Sequence, residues 1–323
     1  MNSFGRFFRV HIFGESHGNG VGVSIDGCPA GIPIALDDFK EDLLRRKSGA
    51  RGTTPRIEND MPEILTGIFN GYTTGAPITI VFRNENTRSH DYDKFTEMPR
   101  PGHADFTGNK KYNAFNDPRG GGHFSGRVTL GLVVAGVIAK KIISPVNVNA
   151  TLVMVGGSED ITSKIEEVIA ENDSVGGLIR CVVSNVPVGL GNPFFDSVES
   201  VLAHIFFSIP GVKGVEFGAG FAASNMKGSE HNDSLVSVEG KTATNHAGGI
   251  NGGITNGNDI TVNLAIKPTS SIGREQPTFN FKTGEMDILK AEGRHDACIA
   301  LRIPVIVEAT AAIALADLMA VNY

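Results

Sequence analysis

Three features are scarce in this sequence: cysteine, an excess of basic charge, and long uninterrupted apolar runs. The three cysteines, Cys28, Cys181 and Cys298, are odd in number, lie far apart and lack the spacing of metal ligands. They predict free thiols in a reducing compartment, which excludes a disulfide framework. The formal net charge of −6 argues against a general affinity for nucleic acid or anionic membranes.

The apolar runs are too short or too interrupted to span a membrane. Residues 128–138 and 303–319 are the most apolar stretches, and both fall short of the roughly 20 apolar residues that a bilayer requires. Arg6 and Arg9 are not followed by an unbroken apolar segment, so the sequence predicts no signal peptide. We therefore expect a cytoplasmic protein with no membrane partner.

Glycine, by contrast, is abundant. It accounts for 40 of the 323 residues, against a usual share of roughly 7%. Such an excess predicts many tight turns, or backbone that a ligand approaches closely. Two dense clusters are GGG at 120–122 and NHAGGINGGITNG at 245–257.

Hydrophobic periodicity predicts an alternation of strands and helices. Strands are expected at 8–13, 21–25, 63–69, 78–82, 148–155, 178–186, 212–217 and 260–266, with a hairpin at 279–289. Helices are expected at 36–47, 125–143, 161–172, 198–207 and 297–319, the last bent at Pro304. No linker or fixed repeat divides the chain, so we expect a single α+β domain over residues 1–323.

Residues 83–123 form a polar segment with little periodicity. A segment of this length inside a compact domain is either functional or disordered, and its Phe, Tyr and His content favours function.

The pentapeptide GESHG at 14–18 matches the G-x-S-x-G turn of serine hydrolases. That turn requires a strand before the serine and a helix after it, whereas strands are predicted here on both sides. We therefore interpret Ser16 as a turn residue, with a hydrolase that uses Ser16 as the alternative. A second match, GAGFAA at 218–223, is followed by neither an amphipathic helix nor a suitably placed acidic residue, so no nicotinamide site is predicted.

Two histidines and several arginines lie on predicted turns. His17 in GESHG and His103 in RPGHADF suit acid–base chemistry near neutral pH. Arginine on loops binds carboxylate and phosphate in bidentate fashion, which predicts a small, multiply anionic substrate. The arginines concerned are Arg45, Arg46, Arg51, Arg100, Arg119, Arg127 and Arg294.

Two segments are candidate phosphate sites. Ser125 follows the GGG cluster at the start of a predicted helix, where backbone N–H groups point outward. The segment KPTSS at 267–271 adds a lysine and three hydroxyl groups after a predicted strand. Together they predict room for a phosphorylated cofactor and a phosphorylated substrate.

Over roughly residues 5–320 the sequence resembles the chorismate synthase family. Seven motifs occur in the family's order: GESHGNGVGVSIDGCP, RRKSGARGTT, RPGHAD, GGGHFSGR, NHAGGINGGITNG, KPTSS and GRHDACIALRIPVIVEA. The resemblance implies a single-domain β-α-β sandwich assembled as a homotetramer. It implies a lyase that uses reduced FMN to convert 5-enolpyruvylshikimate 3-phosphate to chorismate and phosphate by 1,4-elimination, with no net redox change. We expect an external flavin reductase to supply the reduced flavin, so that NADP would enter only through that partner. A non-catalytic flavin-binding scaffold is a third possibility.

The resemblance also implies site residues in this chain. The catalytic set is His17, His103 and Asp296, and no metal is expected. The substrate-binding set is Arg46, Arg51, Arg100 and Arg127. The cofactor-binding set is His123, Phe124, Ser125, Pro210, Gly211, Gly252, Lys267, Pro268, Thr269, Ser270, Ser271 and Arg294. The chain has FSGRVT at 124–129 where the family commonly has SSARET, so we expect backbone rather than side-chain contacts to the flavin there.

Overall fold

The computed structural model describes residues 2–55, 58–85, 94–291 and 295–321. Two antiparallel sheets enclose a layer of helices. The first sheet has the order β1-β2-β3-β7-β4, with β1 Ser3–Phe4, β2 Arg9–Gly14, β3 Gly20–Asp26, β4 Glu63–Thr66 and β7 Ile78–Arg83. The second has the order β10-β13-β9-β8, with β8 Asn147–Val155, β9 Gly177–Ser184, β10 Val212–Phe217 and β13 Ile260–Ile266.

Three two-stranded hairpins and eight α-helices complete the described elements. The hairpins are β5 Ile68–Phe69 with β6 Tyr72–Thr73, β11 Ile250–Asn251 with β12 Ile254–Thr255, and β14 Glu275–Asn280 with β15 Glu285–Lys290. The helices are α1 Lys40–Arg46, α2 Lys94–Glu97, α3 Asp105–Lys111, α4 Thr129–Ile142, α5 Ile161–Ala170, α6 Val198–Phe206, α7 Gly228–His231 and α8 Pro304–Val321. None of the described helices is long and apolar enough to cross a membrane.

Alternate side chains along β3 point to the same face of the first sheet, and this face is buried. Val21, Val23 and Ile25 are fully buried, and α4 packs against this strand. The turn between β2 and β3 is short, since Gly14 pairs with Val21 across the hairpin. The GESHG motif is therefore held at the end of a buried strand pair.

Helices α4 and α8 form the middle layer, and both are buried on nearly all sides. Helix α8 is rich in alanine, and because alanine side chains are small, α4 and α8 approach each other closely. A Cβ atom on Gly136 would lie within 3.0 Å of the Cα and Cβ atoms of Ala309. The main hydrophobic core contains residues of both sheets and of both helices.

We expect Gly136→Ala to destabilise the protein by about 1–3 kcal/mol, because the added methyl overpacks a backbone contact that cannot move locally. The free energy of unfolding from denaturant titration measures this. Gly228→Ala is the control, because it adds the same methyl at the start of exposed α7, where the nearest atom lies 3.9 Å away. Equal stability of Gly136→Ala and the unmodified protein would contradict the close packing of α4 on α8.

The α+β class predicted from the sequence is confirmed, and the strand at Ile260–Ile266 has the predicted bounds. The predicted bend at Pro304 is wrong. The long helix begins at Pro304, where a residue without an N–H group suits the first helical position, and a 3-10 turn at Ile299–Arg302 precedes it. The predicted helix at 125–143 likewise begins as a 3-10 turn, Gly126–Val128, whose N-cap is Ser125.

Candidate active site

A cavity of about 730 Å³ lies where the first sheet, the helix layer and the segment after β13 meet. Its volume falls within the range of about 300–1,000 Å³ that is usual for ligand sites. Part of the wall is apolar and part is lined by cationic, anionic and hydroxyl side chains. The apolar part includes Ile12, Leu132, Ile205, Ile209, Ile299, Ile303 and Ile306.

Two buried arginines share one carboxylate at the cavity wall. Arg127 Nη1 lies 2.8 Å from Asp60 Oδ1, and Arg46 Nη1 lies 3.4 Å from Asp60 Oδ2. Burial lowers the pKa of Arg46 to about 10; Asp60 opposes this decrease, while Arg302 and Arg127 add to it. Arg46 therefore remains cationic at neutral pH in a positively charged environment that favours a bound anion.

Arg46 reaches the cavity because it is the last residue of α1. Its Nε donates to Thr129 Oγ1 at 3.2 Å and its Nη2 to the carbonyl of Gly126 at 3.3 Å. These bonds fix the guanidinium beside the 3-10 turn that precedes α4.

Asp296 and Arg302 form a second charged pair in the wall. Arg302 Nη2 donates to Asp296 Oδ2 at 2.7 Å, and the backbone N–H of Thr54 donates to Oδ1 at 3.0 Å. Within the described residues, Arg302 Nε is buried and makes no hydrogen bond. The sequence analysis did not select Arg302, although a lone arginine between IAL and IPV was the available signal.

Three consecutive glycines form the turn between the two candidate histidines. Gly120, Gly121 and Gly122 have φ of 61°, 80° and 53°, which residues other than glycine rarely adopt. A Cβ on Gly120 would lie 2.6 Å from His17 Nε2, and a Cβ on Gly121 would lie 3.6 Å from His103 Nε2. The turn therefore brings His17 and His103 against neighbouring residues of one backbone segment.

His103 belongs to a hydrogen-bonded group that starts from the RPGHAD motif. Its Nδ1 lies 2.6 Å from Asp105 Oδ1, and Arg100 contacts both carboxylate oxygens of Asp105 at 2.8 Å. Arg100 also donates to Ser271 Oγ at 2.9 Å, and its guanidinium lies 4.3 Å from the centre of the Phe95 ring. The loop is thus tied to the segment after β13.

The KPTSS segment, residues 267–271, also contacts the RPGHAD loop, at Gly102. Lys267 Nζ and Ser270 Oγ donate to the carbonyl of Gly102 at 2.6 and 2.7 Å. Burial lowers the pKa of Lys267, and repulsion from Lys213 adds to the decrease. In the described part of the chain, Thr269 Oγ1 is buried and makes no hydrogen bond, so it remains available to a ligand.

The structure brings most of the predicted site residues to this cavity. Those that line it are His103, Asp296, Arg46, Arg127, His123, Phe124, Ser125, Pro210, Gly211, Lys267, Pro268, Thr269, Ser270 and Ser271. Other lining residues that the sequence analysis did not select include Asn2, Phe4, Ser48, Glu58, Asp60, His204, His295 and Arg302. Ser48, His295 and Arg302 lie inside motifs from which other residues were selected, whereas the remaining residues lie outside every motif.

Four of the predicted residues lie elsewhere in the described part of the chain. His17 is buried behind Gly120, and Arg100 is buried within the RPGHAD loop. Arg51 is exposed and forms an ion pair with Glu166 of α5. Gly252 lies in the β11–β12 turn, which does not line the cavity. Arg294 lies outside the described residues.

An arginine-rich cavity with a carboxylate and a histidine in its wall is typical of an enzyme that acts on small anions. The family model described as chorismate synthase matches residues 8–320. A chorismate synthase from Chitinophaga pinensis is 63% identical over 320 residues, covering 99% of this chain and 96% of that protein. One from Methanocaldococcus jannaschii is 43% identical over 364 residues, covering 99% and 96%.

The fold agrees with these relatives. A solved structure described as the crystal structure of chorismate synthase matches with a TM-score of 0.76 and 27% identity, covering 99% of this chain and 93% of that one. The chain therefore belongs to the chorismate synthase family, enzymes of the shikimate pathway that leads to the aromatic amino acids.

Proposed function

We propose that the cavity binds reduced FMN and 5-enolpyruvylshikimate 3-phosphate together. The substrate loses its phosphate and a ring proton in a 1,4-elimination that forms chorismate with no net redox change. The observation that carries this proposal is the convergence in one cavity of Arg46 and Arg127, the histidine loop and the KPTSS segment.

The residues present fit a flavin mononucleotide. The apolar part of the wall suits an aromatic ring system, and the hydroxyl-rich 267–271 segment with Lys267 suits its phosphate. Thr269 Oγ1, buried and without a hydrogen bond in the described residues, supports a ligand at this segment. When bound, the reduced flavin would supply an electron to the substrate and take it back.

The chain's own groups bind the substrate and move protons. Arg46 and Arg127 hold anionic groups of the substrate, while Asp60 holds both guanidinium groups in the cavity wall. His17, which lies behind Gly120 of the cavity wall, donates a proton to a phosphate that binds at this turn, and His103 acts toward the flavin. Asp296 completes the catalytic set and is fixed in the wall by Arg302 and the Thr54 N–H group.

We extend the proposal to a homotetramer in the cytoplasm that receives reduced flavin from an external reductase. Several large apolar side chains are exposed in the single chain, which supports an assembly: Phe115, Phe194, Phe195, Phe221 and Val238. Gly252 and Arg294 remain flavin-binding candidates on the resemblance alone. We do not retain Arg51 as a substrate-binding residue.

The test is an anaerobic reaction of the protein with chemically reduced FMN and the enolpyruvyl substrate. We expect equal amounts of chorismate and inorganic phosphate. Phosphate without chorismate, together with labelling of Ser16 by a phosphonofluoridate, would support the hydrolase instead. Flavin binding without either product would indicate a non-catalytic scaffold.

We expect no chorismate when NADPH and oxidised FMN are supplied without a reductase or light. The GAGFAA segment forms a 3-10 turn, Gly220–Asn225, rather than the α-helix that a dinucleotide site requires. Anaerobic absorbance at the flavin band measures the reduction. Rapid NADPH-dependent reduction by the purified protein would contradict this expectation.

Arg46→Ala should weaken substrate binding by about 10- to 150-fold, because a charge-assisted pair contributes about 1.5–3 kcal/mol. Arg127 remains to pair with Asp60 in this variant, so the protein should still fold. Arg51→Ala is the matched control, since it removes an arginine from the exposed pair with Glu166. Substrate titration by calorimetry compares them, and equal affinities would remove Arg46 from the site.

A further inference from the structure

We propose that Asp105 is a positioning residue for His103. Its carboxylate accepts the Nδ1–H of the imidazole, so that the ring exchanges protons with the reaction at Nε2. This inference rests on the proposed acid–base role of His103.

The distances assign the tautomer of His103. Both Asp105 Oδ1 and Arg100 Nη2 approach Nδ1, at 2.6 and 3.1 Å respectively. A guanidinium can only donate, so it would require a bare Nδ1, whereas the carboxylate requires Nδ1–H. The carboxylate is nearer, and Arg100 Nη2 already donates to Asp105 Oδ1 at 2.8 Å. Nδ1 therefore carries the proton.

The carboxylate has little freedom to rotate away. Oδ2 accepts the backbone N–H of Arg100 at 3.1 Å and its Nε at 2.8 Å. Arg100 is itself held by Ser271 and by the Phe95 ring. The guanidinium that the resemblance assigned to the substrate thus orients Asp105 instead, and it does not line the large cavity.

Asp105 is held in its ionised form by its neighbours. Burial acts to raise the pKa of Asp105, but hydrogen bonds from Arg100 and His103 outweigh burial and hold the pKa well below its usual value. The carboxylate is therefore ionised at neutral pH, and an ionised carboxylate can only accept a hydrogen bond from Nδ1.

Other charged or titratable groups near His103 come from its own loop and from three other segments. Arg100 contacts Nδ1 from within the loop, and Lys267 of the segment after β13 contacts the carbonyl of the preceding residue, Gly102. Asp117 lines a smaller cavity of about 170 Å³ together with His103, and His17 lies beyond the glycine turn. Asp105 makes a shorter contact with Nδ1, at 2.6 Å, than Arg100 does.

The experiment is NMR of the free enzyme with labelled histidine, with the His103 signal assigned from its loss in His103→Gln. We expect the wild type to show the Nδ1–H tautomer. In Asp105→Asn the share of the Nδ1–H tautomer should fall, because an amide can donate as well as accept and no longer requires Nδ1–H. Turnover with reduced FMN should fall on the order of 10²-fold.

Asp117→Asn is the matched control, because it removes a carboxylate from the wall of the same small cavity. It should leave the tautomer of His103 nearly unchanged. Asp105→Glu should restore part of the Nδ1–H tautomer and of the turnover that are lost in Asp105→Asn. If Asp105→Asn does not fold, the wild-type tautomer decides, and a wild-type Nε2–H signal overturns the proposal.

The NMR readouts need neither flavin nor substrate, so they fail or succeed independently of the elimination reaction. An unchanged His103 tautomer in Asp105→Asn overturns the proposal. A changed tautomer with unchanged turnover also overturns the positioning role, and it would leave the reaction itself untouched.

Discussion

His17→Ala is expected to lower turnover by on the order of 10²–10⁴-fold, the usual contribution of a general acid. Charge builds on the bridging oxygen as phosphate departs, and a nearby imidazolium neutralises it. His17 does not line the cavity, but a Cβ on Gly120, which does line it, would lie 2.6 Å from His17 Nε2. A substrate phosphate bound at this glycine turn would therefore lie close to the imidazole.

Turnover should be measured at saturating reduced FMN, with flavin affinity measured separately. Flavin affinity should survive in His17→Ala, because His17 is not assigned to the flavin. His11→Ala is a suitable control, since His11 is exposed on β2 and bonds to Ser3 Oγ at 2.7 Å. Wild-type turnover in His17→Ala would remove the residue from the mechanism.

Gly120→Ala should produce a loss of about 10²-fold, at the lower end of that for His17→Ala. The added Cβ would lie 2.5 Å from His17 Cδ2 and 2.9 Å from Ser16 Oγ, so the imidazole must move. A displacement of about 1 Å in a reacting group can cost 10²-fold in rate. Steady-state kinetics measure the loss, and histidine NMR measures the displacement of His17.

Backbone strain alone must be separated from the contact with His17. Gly157→Ala provides this control, because Gly157 has φ of 79° and a Cβ there would contact nothing within 4 Å. It should destabilise the fold by the strain of a left-handed residue, about 1–3 kcal/mol, and leave turnover unchanged. Wild-type turnover in Gly120→Ala would mean that the reaction does not depend on the position of His17.

The elements with one buried face were predictable from the sequence. Strands such as Ile78–Arg83 alternate between buried and partly exposed residues because one face packs on α4. Helix α5 is amphipathic because Ile161, Ile165, Val168 and Ile169 face the core. The buried α4 gave a continuous apolar run instead, which is why its start was placed too early. Pro304 permits either a kink or a helix start, and only packing decides between them.

The site was only partly predictable, because an arginine's partner depends on tertiary contacts. Arg46 and Arg51 lie in one motif, yet the end of α1 turns Arg46 inward and α5 supplies Glu166 to Arg51. Arg100 belongs to the RPGHAD loop and binds Asp105 within it. Arg302 lines the cavity, although only Arg294 and Asp296 were selected from its motif in the sequence.

We propose that reduced FMN takes part in the elimination without being consumed. The most direct measurement counts chorismate formed per flavin, anaerobically, with one equivalent of reduced FMN per protein chain and excess substrate. We expect many molecules of chorismate per flavin, one phosphate per chorismate, and flavin that is still reduced when the substrate is exhausted. A reaction that stops after one chorismate per flavin, with the flavin oxidised, would show instead that the flavin is consumed.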